Sequence, residues 1–214
     1  EQAAAHWHEP DAGMWEARDQ ARQYLSSKVL CWVALDRAVR LAPQLGEHAN
    51  VTSWQPARDA IRQAILEQGW NDAVGAYTGA FGSDQLDASV LLMPLVEFLP
   101  ATDQRMRATI DLIARELAAD GLVHRWAGDT NGFLLCTYWL VECLARAGEW
   151  PRANDLFEQT TACANDLGLL AEMADQRGTL WGNYPQAFSH VGLINAAWTL
   201  TQTQPKKCNS NGSA

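Results

Sequence analysis

Two carboxylates stand where this sequence leaves regular structure. Glu172 follows the apolar start of "LLAEMADQRGTLWGNYPQAFSHVGLINAAW" (169–198) and precedes a run of Gly, Asn and Pro turns dense in aromatic and polar residues. Glu16 follows Trp15 in "HWHEPDAGMWEARDQ" (6–20), where Pro10 and Gly13 break a short helix and hand the chain to a loop. A carboxyl set against an indole face loses hydration of its anion, so its pKa rises and it suits general-acid work. The same spacing allows a structural Glu16 that caps a turn or pairs with Arg18 or Lys28. A third group lies in "HWHEPD", where His6, His8, Glu9 and Asp11 offer imidazole and carboxylate donors within a short arc. Such donors suit Zn²⁺ or Mn²⁺, and a metal-bound hydroxide would hydrolyse small activated esters, phosphoesters among them. Histidines two apart diverge on a regular helix, so this set converges only if the helix frays before Pro10 or meets a second copy. Otherwise they are surface or packing histidines, as are His48, His124 and His190 on sequence grounds.

Composition narrows the partners. Sixteen Lys+Arg against 25 Asp+Glu give a formal charge of −9, with no basic stripe to displace counterions from nucleic acid or an anionic membrane. Small molecules, carbohydrates and cations remain. Ten Trp against five Phe and four Tyr supply flat faces of the kind sugar sites use, although Trp also fills helix interfaces. The five Cys (31, 136, 143, 163, 208) have no CxxC spacing and fall mostly in apolar helical stretches, which reads as reduced core thiols in a cytoplasmic protein. No apolar run reaches the ~20 residues of a membrane span. "EQAAAHWHEP" carries neither an initiator Met nor a signal-peptide pattern, so the sequence reads as starting inside a longer frame.

The elements that must position these residues are helices. Helical spacing of Leu25, Val29, Trp32, Val33 and Val39 predicts a helix over 24–43 that stops at Pro43, and "TSWQPARDAIRQAILEQGW" (52–70) predicts one with a Thr/Ser cap and Pro in its first turn. Further helices are expected at 86–98, 103–118, 132–148, 151–166 and 185–203, with a short one near 1–8. Alternating aromatics and glycines in 71–84 predict a small hairpin or extended loop. Residues 1–204 then form one all-α domain, and 205–214 a disordered tail.

Several blocks, in this order, carry a resemblance: "EPDAGMWEAR…SSKVLCWVALDRAVRLA", "LDASVLLMPLVEFLP", "DGLVHRW", "FLLCTYWLVECLARAG" and "NDLGLLAEMADQRGTLWGNYPQAFSHVGLINAAW". Together they resemble the C-terminal portion of bacterial glycoside hydrolase family 15 catalytic domains, a family of glucoamylases, glucodextranases and some trehalases. The resemblance implies an (α/α)6 barrel, here incomplete, with about eight helices and the N-terminal hairpins missing. It implies hydrolysis of α-glucosidic bonds with inversion by a general acid and a general base roughly 6.5–9.5 Å apart, and no cofactor. Glu16 matches the acid and Glu172 the base. On the same resemblance Trp15 and Arg18 line the sugar site, and Tyr184, Gln186 and His190 shape or support the base loop.

The sequence also departs from that pattern. "HWHEP" places His8 where the family has Arg, "GDTNG" places Asp129 off the usual acidic position, and Leu25 replaces a small polar residue. The family's early Arg-Asp sugar clamp has no counterpart. Three functions therefore compete: an α-glucosidase, a metal-dependent esterase using the histidine cluster, and a non-catalytic sugar-binding fragment built on Trp15, Trp126 and Trp181. An incomplete toroid leaves apolar flanks, and a homodimer is expected to cover them.

Overall fold

The computed structural model of the chain describes residues 1–18, 21–118 and 121–204; the tail expected to be disordered lies outside them. Among the described residues there are eight α-helices: α1 (Gln2–His6), α2 (Leu25–Leu45), α3 (Val51–Gln68), α4 (Leu92–Leu95), α5 (Gln104–Glu116), α6 (Leu134–Arg146), α7 (Trp150–Thr161) and α8 (Ala187–Thr203). α2 pairs with α3, while α6 packs against both α7 and α8. The arrangement is an incomplete α/α toroid, with α6 at its centre.

Apolar spacing explains these elements. On α2, Leu25, Val29, Trp32 and Leu35 recur every three or four residues and are all buried. α6 is apolar on nearly every side and loses Cys136, Tyr138, Val141 and Cys143 completely to the core. α5 starts where Asp103 accepts hydrogen bonds from the Arg105 and Met106 amides at 3.0 and 3.1 Å. α8 differs from the others. Its inward residues, Ser189, Gly192, Ala196, Thr199 and Leu200, are small or medium and buried, while Phe188, Val191, Ile194 and Trp198 stand more than half exposed.

Four expectations about these elements need correction. α2 runs through Pro43 to Leu45 and closes at Gly46, whose amide bonds to Ala42 O; proline this late removes one helical hydrogen bond without ending the helix. α3 begins at Val51 after Asn50, with Pro56 in its second turn and no side-chain cap. The segment 86–98 contains a 3-10 turn, Ala88–Leu91, before the single α-turn of α4. α7 ends at Thr161, earlier than residue 166.

Among the described residues, five two-residue strands complete the fold. β1 (Trp70–Asn71) and β2 (Ala76–Tyr77) form the hairpin expected within 71–84. β3 (Gly132–Phe133), β4 (Met173–Ala174) and β5 (Leu180–Trp181) form an antiparallel sheet in that order, with Phe133 opposite Met173 and Met173 opposite Trp181. This second sheet matters most for function, because it ties the start of α6 to the loop that carries Glu172.

Candidate active site

Glu172 immediately precedes β4, and its backbone is held on both sides. Its amide donates to Asn183 O at 3.0 Å and its carbonyl accepts from Leu134 N at 3.1 Å. The carboxylate receives two longer contacts, both 3.4 Å, from the Asn183 amide and from Gln186 Nε2. Gln186 also caps α8 through its own oxygen, so one side chain joins the helix to the carboxylate. Gly182, at φ +77°, passes so close that a Cβ there would stand 2.5 Å from Glu172 Oε2; a side chain at this point would push the carboxylate aside.

His190 and Ser189 brace the same loop from α8. His190 Nε2 accepts from Leu170 N at 3.3 Å, which assigns the proton to Nδ1, and Nδ1 donates to Gln186 O at 2.7 Å. Ser189 Oγ donates to Ala171 O at 2.7 Å. Tyr184 bonds Asn165 rather than Glu172, and Trp181 is 49% exposed with its indole nitrogen donating to Asp175.

On the other loop, Glu16 occupies the left-handed region at φ +53° and is exposed. Among the described residues neither Arg18 nor Lys28 forms an ion pair with it. Lys28 is buried and donates to Glu9 O at 2.6 Å, with Asp11 at 3.7 Å. Trp15 and Arg18 line a cleft of about 540 Å³ together with Tyr24, Asp87 and Trp126.

Trp15 is the hub of that cleft. Its ring lies 5.5 Å from Phe133 and 6.4 Å from both Trp126 and Trp139, centroid to centroid. Arg125 stands over the rings of Trp126, Phe133 and Trp15 at 4.4, 5.1 and 5.8 Å, a cation set among π faces. Asp129 holds it by two bonds, Nε to Oδ2 at 2.8 Å and Nη2 to Oδ1 at 3.0 Å. These bonds raise the Arg125 pKa, against burial, and the negative charge of Glu172 acts in the same direction. Burial pushes Asp87 above the usual carboxylate range despite hydrogen bonds from Ser89 and Trp15. Phe133, beside Trp15, pairs across the sheet with Met173, next to Glu172. The loops that carry Glu16 and Glu172 thus both reach Phe133 and α6, the first through the Trp15 ring on Phe133 and Trp139, the second through Met173 and the bond from Leu134 N to Glu172 O.

The metal cluster does not assemble. His6 Nδ1 pairs with Glu9 at 2.8 Å on an exposed surface, whereas Asp11 turns inward to Ser27 Oγ at 2.7 Å and the Gly13 amide at 2.6 Å, and His8 packs edgewise on Trp7. Among the described residues no group of three or more His, Cys, Asp or Glu is placed to hold a metal ion. The competing reaction through His6, His8, Glu9 and Asp11 therefore has no geometry behind it.

Asp87, Arg125, Phe133 and Ser189 escaped sequence reasoning. Arg125 and Asp87 do lie in the "DGLVHRW" and "LDASVLLMPLVEFLP" blocks, but nothing local joins either to Trp15, which is 72 residues before Asp87.

Comparison with known proteins bears on this arrangement. The profile of Glycosyl hydrolases family 15 matches residues 3–198. A trehalase of Mycobacterium tuberculosis is 44% identical over 99% of this chain, which covers 32% of that protein, and a trehalase of Thermoplasma volcanium is 34% identical over 94%, covering 34%. The chain thus spans about a third of the length of the curated relatives it matches. Among solved structures, a protein described as a wild-type glycosidase superposes with a TM-score of 0.80 at 23% identity, covering 94% of this chain and 58% of that one. The glucoamylase of Saccharomycopsis fibuligera superposes at 0.78 and 13% identity, covering 94% and 59%. These neighbours are (α/α)6 barrels, so the fold is that barrel with part of its ring absent, and the chain belongs to glycosyl hydrolase family 15.

Proposed function

We propose that the chain carries the catalytic face of an inverting α-glucosidase, with Glu16 as general acid and Glu172 as general base. The observation that supports this reading is the shared neighbourhood of the two loops: Trp15, adjacent to Glu16, packs on Phe133, which pairs across the sheet with Met173, next to Glu172. In the reaction, Glu16 gives its proton to the glycosidic oxygen as the bond to the anomeric carbon breaks. Glu172 takes a proton from water, whose oxygen attacks that carbon from the opposite face, and glucose leaves with inverted configuration. No cofactor enters.

Trehalose is the first substrate to assay, since the two curated relatives compared above are named trehalases; maltose is the second. Trp15, Trp126 and Trp181 offer faces to the sugar, and Arg18, lining the cleft beside Trp15, donates to its hydroxyls. Gln186 and His190 set the angle of Glu172, with Tyr184 at the edge of the loop. The exposed stripe on α8 supports self-association as a homodimer. Cys31, Cys136, Cys143 and Cys163 are free thiols, and burial raises the pKa of Cys136 and Cys143; free core thiols fit a reducing, cytoplasmic setting. Among the described residues no helix is long and apolar enough to cross a membrane.

The test is glucose release from trehalose and maltose by wild type, Glu16→Gln and Glu172→Gln. Each variant should lose about 10²–10⁴-fold in rate with its fold intact by circular dichroism. Undiminished release by Glu172→Gln would remove it as the base.

A further inference from the structure

We propose that Asp87 is a positioning residue for the acid loop: its buried carboxylate grips the indole N–H of Trp15 and so fixes the turn that presents Glu16. This rests on the functional reading above.

The geometry is specific. Asp87 is 8% exposed, and both of its carboxylate oxygens lie within reach of Trp15 Nε1, at 3.0 and 3.1 Å. Oδ1 also accepts from the Ser89 amide at 2.7 Å, capping the turn that leads into α4. The backbone around it is pinned as well, through a β-bridge between Asp87 and Trp126 and a 2.8 Å bond from Ala88 N to Arg125 O. Gly79 closes the remaining side, since a Cβ there would stand 2.8 Å from Asp87 Cβ. Beyond the Ser89 amide, the side chain that the carboxylate binds is the Trp15 indole.

Capping alone does not account for an aspartate here. Serine would cap the same turn without placing a carboxylate among aromatic rings. An asparagine could keep Oδ1 on Ser89 and within reach of the indole, but its NH₂ would replace Oδ2 at 3.1 Å from the indole N–H, donor against donor. Two acceptor oxygens on one rigid group serve the cap and the indole together. Because Trp15 precedes Glu16 directly, and Glu16 sits in the left-handed region, freeing the indole frees the turn.

The test separates holding the indole from turnover. Asp87→Asn and Asp87→Ser are made in the wild-type and Trp15→Phe backgrounds, the serine retaining the cap should the asparagine fail to fold. Acrylamide quenching of Trp15, taken as the difference between each protein and its Trp15→Phe counterpart, is expected to rise at least about twofold on loss of the carboxylate. In trehalose hydrolysis kcat should fall roughly 10–100-fold with KM nearly unchanged, since misplacement of about 1 Å has that order of effect, and in the Trp15→Phe background neither substitution should lower it further. Unchanged quenching, or an equal loss of kcat in both backgrounds, overturns the proposal. If wild type turns over no α-glucoside, the functional reading fails by itself and quenching alone decides whether Asp87 holds Trp15.

Discussion

Removing the Asp129 carboxylate should loosen the whole aromatic cluster, and the structure allows the size of the effect to be worked out. Asp129 is 5% exposed in its side chain and Arg125 24%. The carboxylate accepts two bonds from the guanidinium, one from the Thr130 amide at 3.0 Å and one from the Arg125 amide at 3.3 Å. Breaking one partner of a buried pair costs about 3–5 kcal/mol. Arg125 keeps some contact with water and its three rings, so ~2–3 kcal/mol is expected for Asp129→Ala, nearer the figure for a hydrogen bond to a charged group. In a chain of this size that lowers the melting temperature by roughly 4–12 °C. The pH dependence has a definite sign. Burial alone would raise the Asp129 pKa, but the hydrogen bond and charge of Arg125, with the backbone amides, hold it below the usual carboxylate range. Its contribution is therefore complete above the unfolded carboxylate pKa and is lost as pH falls through the folded value. Urea unfolding of wild type and Asp129→Ala near neutrality and in acid should show a gap that closes in acid. Equal midpoints near neutrality would refute the reasoning and leave the rings alone as what holds Arg125.

Two further outcomes follow from the packing. Gly182→Ala puts a methyl 2.5 Å from Glu172 Oε2 at a φ of +77°, so it should cost about 1–2 kcal/mol in thermal unfolding and depress glucose release about 10²-fold by displacing the base; a fully active variant would show that the loop tolerates the shift. Replacing Ile194 and Trp198, 63% and 67% exposed, with Lys should leave melting within about 0.5 kcal/mol of wild type and convert an associated species to monomer in sedimentation velocity. Sedimentation that does not change would mean the α8 stripe is not the contact.

The helices were legible because each announces itself locally. α2 and α5 carry apolar residues at helical spacing, whereas the end of α2 at Gly46 is set by a backbone hydrogen bond and lies beyond the expected stop at Pro43. Proline misled at Pro43, since near a helix end it removes a donor without removing the neighbours that keep the turn wound. The sheet of β3, β4 and β5 was invisible for a different reason: two-residue strands are too short to show alternation, and about forty residues separate β3 from β4. The surroundings of the site were hidden likewise. Glu16 and Glu172 could be named from local blocks, but the grip of Asp87 on Trp15 and of Arg125 on three rings exists only after the chain has folded back on itself. Asp129 shows the limit most clearly. On sequence it is an acidic residue out of place, and in the structure it anchors the guanidinium that stands over Trp126, Phe133 and Trp15.

The rotation of α8 about its own axis is encoded by size. Hydrophobicity cannot choose its inward side, because Phe188, Val191, Ile194 and Trp198 on the outside are more apolar than Ser189, Gly192 and Thr199 within. What chooses is room: the small residues let α8 close on α6, where a Cβ on Gly192 would already stand 3.0 Å from Leu135. The same angle that turns Gly192 toward α6 sends Ser189 to Ala171 and His190 to Leu170, and lets Gln186, at the head of the helix, reach Glu172. Core packing and the aim of Glu172 therefore share one angular coordinate, and a steric change in the middle of α8 would be felt as a rotation at the carboxylate two turns away.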